Sequence, residues 1–228
     1  MSFSSPLAHQ SGLTQWFTYL PRQTLRQSEL PSIITTRFFL PSSSALETGS
    51  FVAPHLPQAA TYYLWPGLQP PDNAGVLQPV LDGRSGTWWI GDGWCCADPS
   101  LAWGNGFNVA NGQTVNFGMK ANTIQSGTWA TTLSNSGGGS VTGSFPLPTH
   151  PMNQAIMAIE LYDVAWTFGQ FAFSNVAIVA NTTSTAWCTN GPTNYQNAAV
   201  VTNSTPVATV SGGQTTCKIA SIILVRPA

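Results

Sequence analysis

The stretch NQAIMAIELYDVAWTFGQFAFSN, residues 153–175, decides the fold class. Its first half is almost wholly apolar and breaks into Asp163 and a polar, Gly-containing connection before FAFSNVAIVA resumes. Short apolar runs bounded by turn residues predict strands buried on both faces rather than amphipathic helices. In an extended chain Ile156, Ala158, Glu160 and Tyr162 share one face, and Met157, Ile159, Leu161 and Asp163 the other. Either choice of core face leaves an acid on an apolar strand. That placement is notable because the chain has only eight acidic residues in 228.

Working outward, SFVAP, TYYLW, GVLQPVL, TWWIG, QTVNFGMKA, TWATTLS, NAAVVT and KIASIILV repeat the pattern, punctuated by Gly, Pro, Asn and Ser. Many short strands at close spacing predict an all-β fold, an antiparallel β-sandwich, with under a tenth helix. The best helix candidate, residues 13–30, is interrupted by Pro21. Residues 1–46 hold three of the seven basic residues with several Pro and Ser, and read as an irregular N-terminal arm. Residues 47–228 then form the sandwich domain. SNSGGGSVTGS (134–144) reads as a flexible loop or a wide hairpin.

Composition narrows the function. Charged residues are 7% of the chain, against about 25% in typical soluble domains. No basic run exists to neutralise phosphates, so nucleic acid is not an expected partner. No apolar run is long enough to span a membrane as a helix. The start, MSFSSPLAHQSG, lacks the basic and apolar regions of a secretory signal.

Nucleophilic and metal chemistry find little support. His9, His55 and His150 sit in Pro- or Ser-flanked contexts without a GxSxG elbow, and read as surface residues. Asp72, Asp82, Asp92 and Asp98 are too widely spaced for a calcium loop and read as solvated turn residues. The cysteines have no zinc spacing, so no metal or other cofactor is expected. Vicinal Cys95 and Cys96 are not expected to pair with each other. Cys188 and Cys217 either close a disulfide or stay as free thiols.

Glu160 remains. A lone buried carboxylate is costly, so it takes a proton or finds partners, and desolvation raises its pKa. A raised pKa suits acid–base chemistry. The alternative is a structural Glu at a sheet edge. Gln78 interrupts the apolar strand GVLQPVL in the same way and brings both amide donors and a carbonyl acceptor. Facing each other on neighbouring strands, the two would form a polar island able to hold a water.

At these residues the chain resembles the eqolisins, the fungal glutamic peptidases. ETGSFVAPHLPQAATYYLWPGLQP resembles the opening strands of that family, AGVLQPVLDG its glutamine strand, and QAIMAIELYDVAWTFGQFAFSNVAI its glutamate strand. The resemblance puts Gln78 and Glu160, 82 residues apart, at the catalytic pair. It also covers uncharacterised fungal sandwich proteins carrying Y-Y-x-W-P-G-L-Q and G-V-L-Q-P-V-L. It implies a concanavalin-like jelly roll of two packed, bent sheets, a secreted location and a polypeptide substrate. Trp65, Trp88 or Trp89, and Gln69 would line the substrate cleft. Pro79 and Val80 depart from the family's Thr-Gly after the glutamine, and Gln69 replaces an acid.

Two functions follow. One is an acid endopeptidase in which Glu160 and Gln78 activate water, most active below about pH 5. The other is a non-catalytic, lectin-like module with a carbohydrate ligand, since five tryptophans lie at 65, 88, 89, 94 and 103. A structural coat protein ranks behind both.

Overall fold

The computed structural model describes residues 32–96, 99–122, 127–195 and 200–226. Two antiparallel sheets pack face to face. The first runs β12 (Thr193–Tyr195), β1 (Ser32–Phe39), β10 (Gln154–Tyr162), β3 (Thr61–Gln69), β4 (Gly75–Asp82), β5 (Trp88–Cys96) and β6 (Gly106–Val109). The second runs β13 (Val200–Asn203), β15 (Gln214–Val225), β11 (Phe171–Ala180), β2 (Ser44–Val52), β7 (Thr114–Ala121), β8 (Thr128–Asn135) and β9 (Ser140–Pro146). Strand β14 (Val207–Ser211) pairs with β15 outside that path. The helix among the described residues is a single turn, α1 (Ala186–Thr189). This is the all-β sandwich read from the sequence.

Period-2 alternation sorts the side chains. Ala155, Met157, Ile159 and Leu161 of β10 enter the core between the sheets, with Leu64 and Leu68 of β3, Leu77 and Leu81 of β4, and Phe51, Phe117 and Phe173 opposite. Each such side chain contributes about 1.5–3 kcal/mol by leaving water. The outer face of the first sheet carries a second apolar cluster of Tyr63, Trp65, Val76, Val80, Ile156 and Ala158. Burial on both faces explains why β10 and β4 read as continuous apolar runs.

Several expectations are corrected. Residues 32–39 are no arm: they form β1, paired along its whole length with β10. The short β-branched run SIITTRFF was too brief to signal this alone. Strand β2 likewise begins at Ser44. The helix candidate at 13–30 lies outside the described residues. The 134–144 stretch is a tight hairpin, with Asn135 Oδ1 accepting from the N–H groups of Gly137 and Gly139, and its second half is β9. Cys95 and Cys96 are joined by a cis peptide bond that brings their Cα atoms to 3.0 Å and their sulfurs side by side. Cys188 and Cys217 form a disulfide that ties α1 to β15. His150 is buried and lies against Trp94, whereas His55 is exposed; His9 is outside the described residues.

Asp92 is not a turn residue but fully buried on the inner side of β5. It accepts a short hydrogen bond from Thr131 Oγ1 of β8. Glu47 of β2 is also fully buried, in a cross-strand row with Ile178 and Met119, and neither carboxyl oxygen has a partner. Burial pushes both acids up, Glu47 well up and Asp92 against the opposing pull of Thr131.

A folded-state pKa above the unfolded value of about 4 gives stability that is complete in acid and is lost as pH rises through the folded value. The melting temperature is therefore expected to fall as pH rises above about 4. Glu47→Met should flatten that decline and raise the neutral-pH melting temperature, at about 2–4 °C per kcal/mol. Calorimetry across pH checks this; a melting temperature that climbs with pH would refute it.

Candidate active site

Strand pairing places the outward side chains in rows. Glu160 is opposite Tyr63, Tyr63 opposite Asp82, and Asp82 opposite Trp89. Four residues along, Ile156 is opposite Gly67, and Gln78 is opposite Gly93. The β3–β4 register carried through its gap sets Gly67 opposite Gln78. Glu160 and Gln78 thus share one sheet and one face. They are not on neighbouring strands, because β3 runs between them. Nor is Glu160 at an edge, since β1 and β3 flank β10.

With strands about 4.8 Å apart and a rise of about 3.3 Å per residue, a flat sheet would separate the two Cα atoms by about 16 Å. Trp65 lies in that interval. It stands one outward position from Gly67 and one from Tyr63, and its Cε3 is 3.2 Å from the position a Cβ on Gly67 would take. Its indole N–H faces the Glu160 carboxyl. One indole therefore has Glu160 at one end and the row of Gln78 at the other.

The β3–β4 ladder is open at this point. Gly83 donates its backbone N–H to Tyr62 O at 3.1 Å, and bonded pairs recur every second residue. Pro66 and Pro79 fall opposite each other in that series, and neither has an N–H to give. Cross-strand pairing is accordingly seen at Leu64–Leu81 and Leu68–Leu77 but not between them. Proline in a central strand is rare, and two facing each other leave Trp65 and Gln78 beside an unbridged segment.

Glu160 is half-buried, and burial pushes its carboxyl up to about 7. The Trp65 indole N–H opposes the rise, although it makes no full hydrogen bond to the carboxyl. Burial, together with Glu160 and Tyr63, also pushes the Tyr162 phenol up. Gln78 is buried, and its Oε1 accepts no hydrogen bond.

The other expected residues divide. Trp89 is half-buried on the outer face, its ring lying on Gly91 and Gly106, where no Cβ would fit. Trp88 belongs to the inter-sheet core, with its Nε1 donating to Pro54 O at 2.7 Å, and lines no outer cleft. Adjacent strand residues face opposite ways, so only one of that pair could. Gln69 is outward and buried, but its Oε1 accepts from Arg37 Nη1 at 2.9 Å, as does Gln154 Oε1 at 3.0 Å.

Two residues have places at the site that the sequence reading did not give them. Asp82, taken for a solvated turn residue, is buried in the Glu160 row and ion-paired with Arg84 at 2.6 Å. The Arg84 guanidinium lies over the Tyr63 ring, 5.3 Å from its centroid. Their i, i+2 spacing beside Gly83 was a local signal. Trp103, from the β5–β6 connection, packs on Gly93 and against the outer cluster. The sequence reading counted it among five tryptophans of a binding surface but gave no sign that it would lie beside Gln78. No cluster of His, Cys, Asp or Glu able to hold a metal occurs among the described residues.

No family model matches the chain, and no curated protein does. Solved structures do. Scytalido-glutamic peptidase bound to a transition state analog inhibitor superposes with a TM-score of 0.55 at 15% identity, over 82% of this chain and 98% of that one. The chain has the eqolisin fold. SCP-B, a member of the eqolisin family in complex with the tripeptide Ala-Ile-His, gives a TM-score of 0.53 at 14% identity over the same shares. At such identity the likeness concerns the fold, the level at which the resemblance in the sequence holds.

Trp65→Phe removes an N–H that favours the ionised Glu160. The carboxyl pKa should then move above 7 by up to about one unit. With only three glutamates in the chain, a carbon-13 carboxyl titration resolves it. A downward move would show that the indole does not stabilise the carboxylate.

Proposed function

We propose that the protein is a peptide-bond hydrolase of the glutamic type, with Glu160 and Gln78 as its working groups. The observation that carries the proposal is Glu160: a half-buried carboxyl raised to about 7, on the same face as a buried Gln amide, in a fold that glutamic peptidases share. A polypeptide would lie across β10, β3 and β4, with its scissile carbonyl over Trp65.

The Glu160 carboxylate takes a proton from water as the water oxygen attacks the carbonyl carbon. The Gln78 Nε2–H donates to the oxygen that gains negative charge. Glu160 then returns the proton to the nitrogen as the C–N bond breaks. A positioned acid–base group is worth about 10²–10⁴ in rate, and one oxyanion donor about 2.7–4 kcal/mol. Trp65 helps by keeping the ionised form of Glu160 accessible.

The value of about 7 revises the acid optimum expected from sequence. The base form grows tenfold per pH unit up to about 7, so the chemical step gains with pH. Activity is therefore expected to rise with pH and to level off above about 7, where Glu160 is fully ionised.

Trp89, laid flat on Gly91 and Gly106 with Asn108 opposite it on β6, favours a second reading as a carbohydrate platform. Digestion of a denatured protein across pH separates the two. The hydrolase should cut, Glu160→Gln should abolish cutting without changing the fold, and Gln78→Ala should lower kcat by about 10²–10³. Failure of the wild type to cut at any pH, with tryptophan fluorescence responding to a sugar, would replace the hydrolase with the binding module.

A further inference from the structure

Gln78 stands between two glycines, Gly67 on β3 and Gly93 on β5, and an indole lies at each. On the β3 side it is Trp65. On the β5 side it is Trp103, whose ring covers Gly93 so closely that a Cβ there would collide with it. Two buried polar atoms lack partners beside this pair of glycines: Gln78 Oε1, an acceptor, and Trp103 Nε1, which carries a donor hydrogen. Pairing removes a desolvation cost from both.

The segment carrying Trp103 is anchored. Gly104 donates its backbone N–H to Asp92 O at 2.8 Å, and the Asp92 carboxyl fills the space a side chain at 104 would need. Asp92 is in turn bonded to Thr131 of the opposite sheet. Trp103 is thus tied through Asp92 to the inter-sheet core, on a stretch of chain otherwise outside the strands.

We propose that Trp103 is the positioning residue for Gln78. Its indole N–H serves Gln78 Oε1 across one water, and this fixes which end of the amide faces the substrate. An amide free to flip would present its oxygen to the developing oxyanion half of the time. The indole N–H opposes that orientation, because the bridging water would then stand between two donors. The consequence for catalysis rests on the hydrolase reading; the coupling of the two side chains does not.

Nitrogen-15 spectra of the full chain test the coupling without any activity. The Trp103 indole signal is assigned with Trp103→Phe and the Gln78 amide signals with Gln78→Ala. Gln78→Ala should shift the Trp103 indole signal, and Trp103→Phe should shift the Gln78 amide pair and speed its exchange with solvent. Gly93→Ala, which displaces the ring, should reproduce the second effect should Trp103→Phe fold poorly. Signals of each residue indifferent to loss of the other would overturn the proposal. Given peptide cleavage by the wild type, Trp103→Phe should lower kcat about tenfold while KM stays within about twofold. A rise in KM at constant kcat would make Trp103 a cleft wall and overturn the positioning role. A wild type that cuts nothing would remove the hydrolase reading, and the spectra alone would then decide the coupling.

Discussion

Side-chain alternation along β10, β3 and β4 is the constraint from which the site follows. Met157, Ile159, Leu161, Leu64, Leu68, Leu77 and Leu81 must face the second sheet to build the core. Their neighbours must then face outward together. A slip of one residue would exchange the two sets and bury Glu160 and Gln78 among the leucines. The cost of that exchange holds the polar residues on one surface.

The same surface breaks local rules in several places. Two prolines oppose each other in central strands, glycines replace side chains at 67, 91 and 93, and indoles occupy the space so freed. Each feature alone weakens a sheet. Together they exchange ladder bonds and side-chain cover for aromatic walls around an amide and a carboxyl. Departures of this kind concentrate where a protein does its work, and their clustering around Gln78 is the same signal that Glu160 gives on β10.

The sparse charges carry more than their number suggests. Three carboxyls are raised by burial: Glu160 on the outer face, Glu47 and Asp92 between the sheets. The first is reachable from solvent and suited to proton transfer. The other two face no substrate and cost stability once ionised. The main-chain carbonyl of Asp92 also holds the backbone N–H of Gly104, next to Trp103, and so ties that outer segment to β5.

The fold class was legible by itself in the amino-acid order. Short apolar runs, turn residues between them and few helix signals leave a sandwich as the economical way to bury both faces of strands such as β10 and β4. Glu160 and Gln78 were legible for the same reason, as polar residues interrupting apolar runs. What local order could not convey was pairing. SIITTRFF becomes β1 only because β10 offers it a partner, and Asp82 and Asp92 become interior residues only because strands meet over them. Trp88 and Trp89 are alike in sequence, yet register sends one to the core and the other outward. The insertion of β3 between Glu160 and Gln78, with Trp65 filling the interval, came from tertiary structure alone. Strand order depends on contacts between residues far apart in the chain, and no local pattern records them.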